Sequence, residues 1–311
     1  MNNFKKIGLT ALAGSLIAVS AHAGEMSVAG SASIGVKNNN SGSNGKTWDM
    51  GNQLTFSGGG ELDNGLNVSL SFVIDQGDDT AIGSGPFDSH SLTISSDAMG
   101  SLVFSGEGGS SAQSALDGTA AGDIWDNGFG ISSPGASEAG NNSMLYTLPS
   151  LMDDLSLQAS YSPGSAGGPS ATAIGATFTG VEGLSVSYGA GQTETIGSEA
   201  DATTIKGSYA YGSFTLAASQ TEYDLDSGND DTVTSYKLSY TVTDDLSVGY
   251  GSETHETAGS TTDEEVDGFD ISYTSGGMTI TAAQIDAEGI DHATGNAGED
   301  SRWKVGASFA F

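Results

Sequence analysis

The chain ends in RWKVGASFAF, residues 302–311. Trp303, Val305, Ala307, Phe309 and Phe311 fall at every second position, the period that puts side chains on one face of a β-strand. The last residues of soluble domains generally fray into water. A row of bulky apolar groups running to the final position asks instead for an apolar medium outside it and a paired strand beside it.

Working back from that strand, the same alternation recurs along the chain. Leu66, Val68, Leu70, Phe72 and Ile74 alternate with Asn67, Ser69, Ser71 and Val73. Leu184, Val186, Tyr188 and Ala190 alternate with small polar residues, and so do Tyr236, Leu238, Tyr240 and Val242. Sixteen such runs begin near Met26, Leu54, Leu66, Leu92, Leu102, Met144, Leu155, Ile174, Leu184, Ile205, Phe214, Val233, Leu246, Phe269, Met278 and Trp303. Seven connections are short and carry the turn chemistry of tight hairpins, among them Asp63-Asn64-Gly65, Gly212-Ser213 and Gly276-Gly277. Eight others read as longer loops rich in Gly, Asn, Asp, Glu and Ser. This is the pattern of an even-stranded antiparallel meander with both ends on one side.

The polar face of these strands is mostly Ser, Thr, Gly and Asn, while Tyr146, Tyr161, Tyr188, Tyr209, Tyr211, Tyr236, Tyr240, Tyr250 and Tyr273 fall on the apolar stripe. A soluble sandwich would bury its apolar stripe and expose charge. An apolar face with tyrosine girdles and a wet polar face instead fit the outside and inside of a transmembrane β-barrel, whose strands run ~9–11 residues. After the leader, no run nears the ~18 apolar residues of a helical span. The fold class is therefore all-β, a transmembrane antiparallel β-barrel of about 16 strands. Closing the sheet pairs the last strand with the first and leaves no edge exposed.

The first residues set the compartment. Lys5 and Lys6 precede an apolar stretch from Ile7 to Val19, and Ala21-His22-Ala23 supplies a small-x-small cleavage site, so residues 1–23 read as a signal peptide. Thirteen apolar residues are too few to cross a bilayer, which takes ~20. Residues 24–311 then form a single barrel domain. Cleavage leaves six basic side chains against 39 acidic ones, a formal charge of −33. Such a surface repels nucleic acid and attracts cations. With no cysteine, disulfides and thiolate chemistry are excluded.

The mature start GEMSVAGSASIGV, the hairpin NQLTFSGGGELDNGLNVSL, the strand MGSLVFSGE and the terminal Phe resemble the general porins of Gram-negative outer membranes. The resemblance is scattered over the whole mature chain. It implies a trimeric sixteen-stranded barrel for passive diffusion of small hydrophilic solutes, a third long loop folded into the lumen, and a terminal aromatic strand, here ending at Phe311, read by the barrel-assembly machinery.

The longest connection, GGSSAQSALDGTAAGDIWDNGFGISSPGASEAGNN, lies between the fifth and sixth strands. Loops beyond ~15 residues in compact domains are usually functional or disordered, and this one is too apolar for a solvated tail. By the resemblance, residues 110–141 form the constriction loop. Asp117, Asp123 and Asp126 are its candidate lumen carboxylates; the alternative is that some cap loop turns. On the wall, positions where many porins carry Arg or Lys hold Ser33, Gln53, Ser57, Ser91 and Glu107, so an arginine-lined wall is not expected. If the apolar stripes face lipid, Lys37, Lys206, Lys237, Arg302 and Lys304 point inward, because a charge on the lipid face near mid-bilayer costs ~2–4 kcal/mol.

Acids cluster in DQGDD (75–79), YDLDSGNDD (223–231) and TDEEVD (262–267). They read as a negative vestibule that gathers cations, and such clusters suit weak Ca²⁺ binding; no other cofactor is implied. Catalysis is not expected: His90, His255 and His292 sit in or beside separate loops, and no motif joins one to a nucleophile. The expected function is a cation-preferring channel with lipid, small solutes and cations as partners. The alternatives are a substrate-selective uptake porin and, more remotely, a calcium-binding adhesin or structural protein of the outer membrane.

Overall fold

The computed structural model describes residues 26–39, 45–75, 87–116, 118–137, 141–164, 168–195 and 197–311. The leader read at 1–23 and most of the DQGDD acids lie outside them. Among the described residues sixteen strands follow in chain order. They are β1 (Met26–Asn39), β2 (Gly45–Glu61), β3 (Asn67–Asp75), β4 (Phe87–Ser96), β5 (Gly100–Glu107), β6 (Ser143–Thr147), β7 (Leu155–Ser162) and β8 (Ser170–Val181). The second half holds β9 (Leu184–Thr195), β10 (Ser198–Tyr211), β11 (Phe214–Leu225), β12 (Asp231–Thr243), β13 (Leu246–Thr257), β14 (Glu264–Ser275), β15 (Met278–Glu288) and β16 (Asp300–Ala310). Each pairs antiparallel with its chain neighbours, and β16 returns to β1 to close the barrel.

Closure is carried to the last residue. Ser31 stands opposite Ala310 and Lys37 opposite Lys304. The Phe311 N–H donates to the Gly30 carbonyl at 2.9 Å, and the Gly30 N–H donates to the Phe311 carbonyl at 2.7 Å. A Cβ on Gly30 would come within 2.3 Å of the Phe311 ring, so the terminal aromatic lies across a glycine of the first strand. The seam ladder thus runs from Lys37 opposite Lys304 to Gly30 opposite Phe311, pairing its backbone groups as a bilayer requires.

Register converts alternation into two surfaces. Tyr209, Leu216, Leu238, Tyr250 and Phe269 face one another across β10 to β14, and all are exposed. Among the described residues nothing covers this apolar row, as expected of a lipid face. Three residues along each strand, Lys206, Ser219, Ser235, Glu253 and Val266, continued by Ala287, form a row on the opposite, inner face. The two-residue turns at Gly212-Ser213 and Gly276-Gly277 open on glycines at φ 59°, the left-handed backbone that hairpin turns need.

The opposite end of the barrel departs from the sequence reading. β9 runs to Thr195 and β10 starts at Ser198, so that only two residues separate the strands where the composition suggests a long polar loop. The same extension makes strand out of much of YDLDSGNDD and TDEEVD. Beyond the bilayer both faces of a strand meet water, so apolar alternation stops while the hydrogen-bonded ladder continues. Glu194, Glu199, Glu265, Asp267, Asp286 and Glu288 share the outer face with the tyrosines, so they do not line the lumen.

Candidate functional site

The connection from β5 to β6 turns back into the barrel and lies along the inner wall from β7 to β16. Glycines make the approach possible. A Cβ on Gly175 would come within 2.4 Å of the Ala112 carbonyl oxygen, one on Gly191 within 2.5 Å of Ser137, and one on Gly251 within 2.7 Å of Ala121 Cβ. These wall glycines face inward, on the same side of the sheet as the serines and threonines. Side chains there would hold the loop backbone off the wall.

Polar groups on the wall then take up the loop's backbone. The N–H groups of Ala112, Ala120 and Ala121 donate to the hydroxyls of Ser160 (2.8 Å), Ser219 (2.9 Å) and Ser235 (2.8 Å). The fully buried Glu253 accepts the Thr119 hydroxyl and the Trp125 N–H, the latter at 2.9 Å. Gln113, also fully buried, donates to Thr204 at 2.9 Å. Buried polar groups need such partners, since an unmet one costs ~1–3 kcal/mol.

An apolar cluster holds the far half of the loop. Phe129 and Ile131 pack on Val266, Ile285 and Ala287 of the wall, flanked by Ile124 and Trp125. Burying side chains of this size contributes ~1.5–3 kcal/mol each. Inside a water-filled barrel this small core resists leaving the wall.

The residues singled out in the sequence divide by position. Lys206 Nζ donates to the Gly118 carbonyl at 2.6 Å and Lys237 Nζ to that of Ala121 at 3.3 Å. Lys237 also pairs with Asp270 at 3.0 Å. Lys304 donates to Asn127 at 2.9 Å. Arg302 pairs with Asp300 at 3.0 Å and lies over the Phe129 ring, 5.0 Å from its centroid. These four bases all contact the loop. Lys37 stands on the uncovered arc, 3.5 Å from Asp49. Glu107 lines a recess of about 260 Å³ on that arc with Ser71, Ser91 and Ser105.

Of the loop acids, Asp126 is exposed, and Asp123 turns inward on the loop itself. The Thr119 N–H donates to Asp123 at 2.8 Å, and the Asp123 N–H donates to the Thr119 hydroxyl at 2.9 Å. Asp123 therefore closes a loop turn. Asp117 lies outside the described residues. The sequence reading passed over Glu253, Val266, Ile285 and the wall glycines. Their signal was present as lapses in alternation: Val266 and Ile285 are apolar at positions of the polar face.

This barrel with an inward third loop meets a matching sequence family. Residues 8–311 match the family of Gram-negative porins. The chain belongs to that family. No curated protein matches it at a significant level. Solved porins share the architecture. OmpF of Salmonella typhi in complex with daunomycin aligns with a TM-score of 0.74 at 13% identity, over 93% of this chain and 98% of that one. A loop-deletion form of OmpT from Vibrio cholerae aligns with a TM-score of 0.70 at 15% identity, over 93% and 100%. An anion-selective porin of Comamonas acidovorans aligns with a TM-score of 0.63 at 18% identity, over 92% and 99%. At such identities the likeness establishes the fold, while family membership makes this porin an outer-membrane channel rather than an enzyme.

Proposed function

We propose that this porin passes small hydrophilic solutes by diffusion and prefers cations. The observation that carries the preference is an excess of acid, a formal −33 for residues 24–311, over lumen bases that are largely committed. Lys37, Lys237 and Arg302 are each paired with an aspartate, and Lys206 and Lys304, though still charged, are fixed by hydrogen bonds to the loop. Asp126 and Glu107 have no such partner in the same contacts. A porin of the same fold is anion-selective in Comamonas acidovorans, so the sign follows from these side chains and not from the barrel. Ca²⁺ held weakly by acidic strand tips would act as a screening counterion, with no cofactor needed for passage.

Single-channel recording in a salt gradient tests this. Asp117→Asn, Asp123→Asn and Asp126→Asn together should move the reversal potential toward the anion side at low salt. Unit charges in water interact by about 1 kcal/mol at ~4 Å, so the shift is partial. It should fade near 1 M salt, where the Debye length is ~3 Å. An unchanged reversal potential at low salt removes the loop as the filter and leaves Glu107 to carry any preference.

OmpT of Vibrio cholerae has been solved in a trimer form, and we carry a homotrimer to this chain as part of the same proposal. Phe311 belongs to it as well. Its ring is one of many on the outer face, so it contributes to recognition by the assembly machinery more than to conduction. Deleting Phe311 should lower the amount of barrel in the outer membrane while the surviving pores conduct normally. Undiminished insertion would remove that role.

A further inference from the structure

Above the constriction loop, at the end of the barrel where the acidic strand extensions stand, a cavity of about 380 Å³ opens on the vestibule. Asp231 of β12, His255 of β13 and Glu264 of β14 line it, and Asp291 and His292 from the β15–β16 connection complete it. Gly130, Ser132, Ser133 and Pro134 of the constriction loop, with Val233, Glu256 and Thr257 of the strands, supply the remaining wall. Its size lies within the ~300–1,000 Å³ of small-molecule sites. None of these side chains belongs to the lumen ion pairs or to the anchoring of the loop backbone.

Two imidazoles in the cavity have a free nitrogen to offer. His255 is 6% exposed, and its Nε2 is buried with no hydrogen-bond partner. A buried polar atom in that condition calls for an explanation, because leaving it unmet costs ~1–3 kcal/mol. His292 Nδ1 lies 2.9 Å from the Thr262 carbonyl. A carbonyl only accepts, so Nδ1 donates and the neutral ring keeps Nε2 as an acceptor. The surrounding carboxylates are also held in place. Glu264 is 8% exposed and accepts the Asp291 N–H at 3.0 Å. Asp291 and His292 both take left-handed backbone, φ 56° and 57°, a conformation uncommon for side-chain-bearing residues.

We propose that this cavity binds a small organic cation bearing several N–H donors, such as an amine or a guanidine, ahead of the constriction. Asp231, Glu264 and Asp291 supply the charge, and His292 Nε2 supplies an acceptor that a bare alkali ion would leave unmet, with the unpartnered His255 nitrogen beside it. Among the described residues no three His, Asp or Glu side chains are close enough to hold a metal ion together. The occupant therefore reaches between them, which a chain of several atoms does and a single ion does not. The proposal rests on the channel reading only in making the bound solute one that is about to enter the pore.

Agmatine, with a guanidinium at one end and an ammonium at the other, is a suitable probe for the full-length barrel in detergent. Titration calorimetry should give one saturable site per chain that survives ionic strength matched with NaCl. His255→Phe and Glu264→Gln should each weaken it tenfold or more. Glu264→Gln keeps an oxygen for the Asp291 N–H, and KCl conductance identifies variants that still form an open barrel. Agmatine added on the vestibule side of a bilayer should also interrupt single-channel current. Absence of saturable heat in a conducting protein overturns the pocket, and so does affinity unchanged in both variants. Saturable Ca²⁺ binding that excludes agmatine and is lost in the same variants overturns it in favour of a metal site. Saturable agmatine heat without any channel current sinks the channel reading and leaves the pocket standing.

Discussion

Val266→Asp releases the far half of the constriction loop, residues 124–131, and leaves the barrel standing. Val266 is completely buried between Phe129 and Ile131 of the loop and Ile285 and Ala287 of the wall. Its cross-strand neighbour on β13 is Glu253, itself fully buried. A carboxylate placed there has no base to pair with in that cluster and stands beside a second carboxylate. An uncompensated buried charge costs ~3–5 kcal/mol, more than the two bonds from Thr119 and Trp125 to Glu253 return at ~1 kcal/mol each, while the bonds to Ser160, Ser219 and Ser235 still hold the first half of the loop. Undocking relieves the cost by letting water reach the new charge. The ladder of β13 and β14 and the outer face are untouched, so the barrel persists.

Conductance should therefore rise and grow noisy, and protease should cut between residues 110 and 141 while the barrel keeps its resistance to heat in detergent. Val266→Ala removes methyl groups without adding charge and should keep the loop docked. Wild-type conductance in the aspartate variant, together with a protease-resistant loop, would show that the apolar cluster does not hold the loop.

How far the sequence disclosed this arrangement follows from which environment each residue meets. RWKVGASFAF and the runs at Leu66, Leu184 and Tyr236 were legible because lipid and lumen differ sharply, so strict alternation survives in the letters. The strand extensions at Glu194, Glu199, Glu265 and Glu288 were not, because above the bilayer water lies on both faces and nothing selects apolar residues. Reading them as loops also placed their charge in a vestibule, although pleat parity turns it outward. The inward loop was legible from its length and from Trp125 and Phe129. Its docking surface was not, because Val266, Ile285 and Gly251 come from strands far apart in sequence and meet only after the barrel closes. Glu253 looked like one more acid on a strand until the loop covered it.

Parity itself is open to a direct trial with a large effect. Leu238 is 49% exposed on the outer face, between Tyr236 and Tyr240 on its own strand and level with Leu216 and Tyr250 on the neighbouring ones. The flanking tyrosines place it near the middle of the apolar band. Leu238→Arg should lower barrel stability by ~2–4 kcal/mol, the cost of Arg at mid-bilayer, read from urea unfolding of lipid-inserted protein. Ser239→Arg, one position along, turns the same charge into the wet lumen and should change stability little. The chain already contains the natural counterpart: Lys237, on the other side of Leu238, is tolerated because it faces inward, 3.0 Å from Asp270 and 3.3 Å from the Ala121 carbonyl. Equal destabilisation by both arginines would mean that residue 239 also meets lipid. A larger loss at Ser239 than at Leu238 would invert the faces. Lys237, Glu253 and the docked loop would then all sit on the wrong side of the sheet.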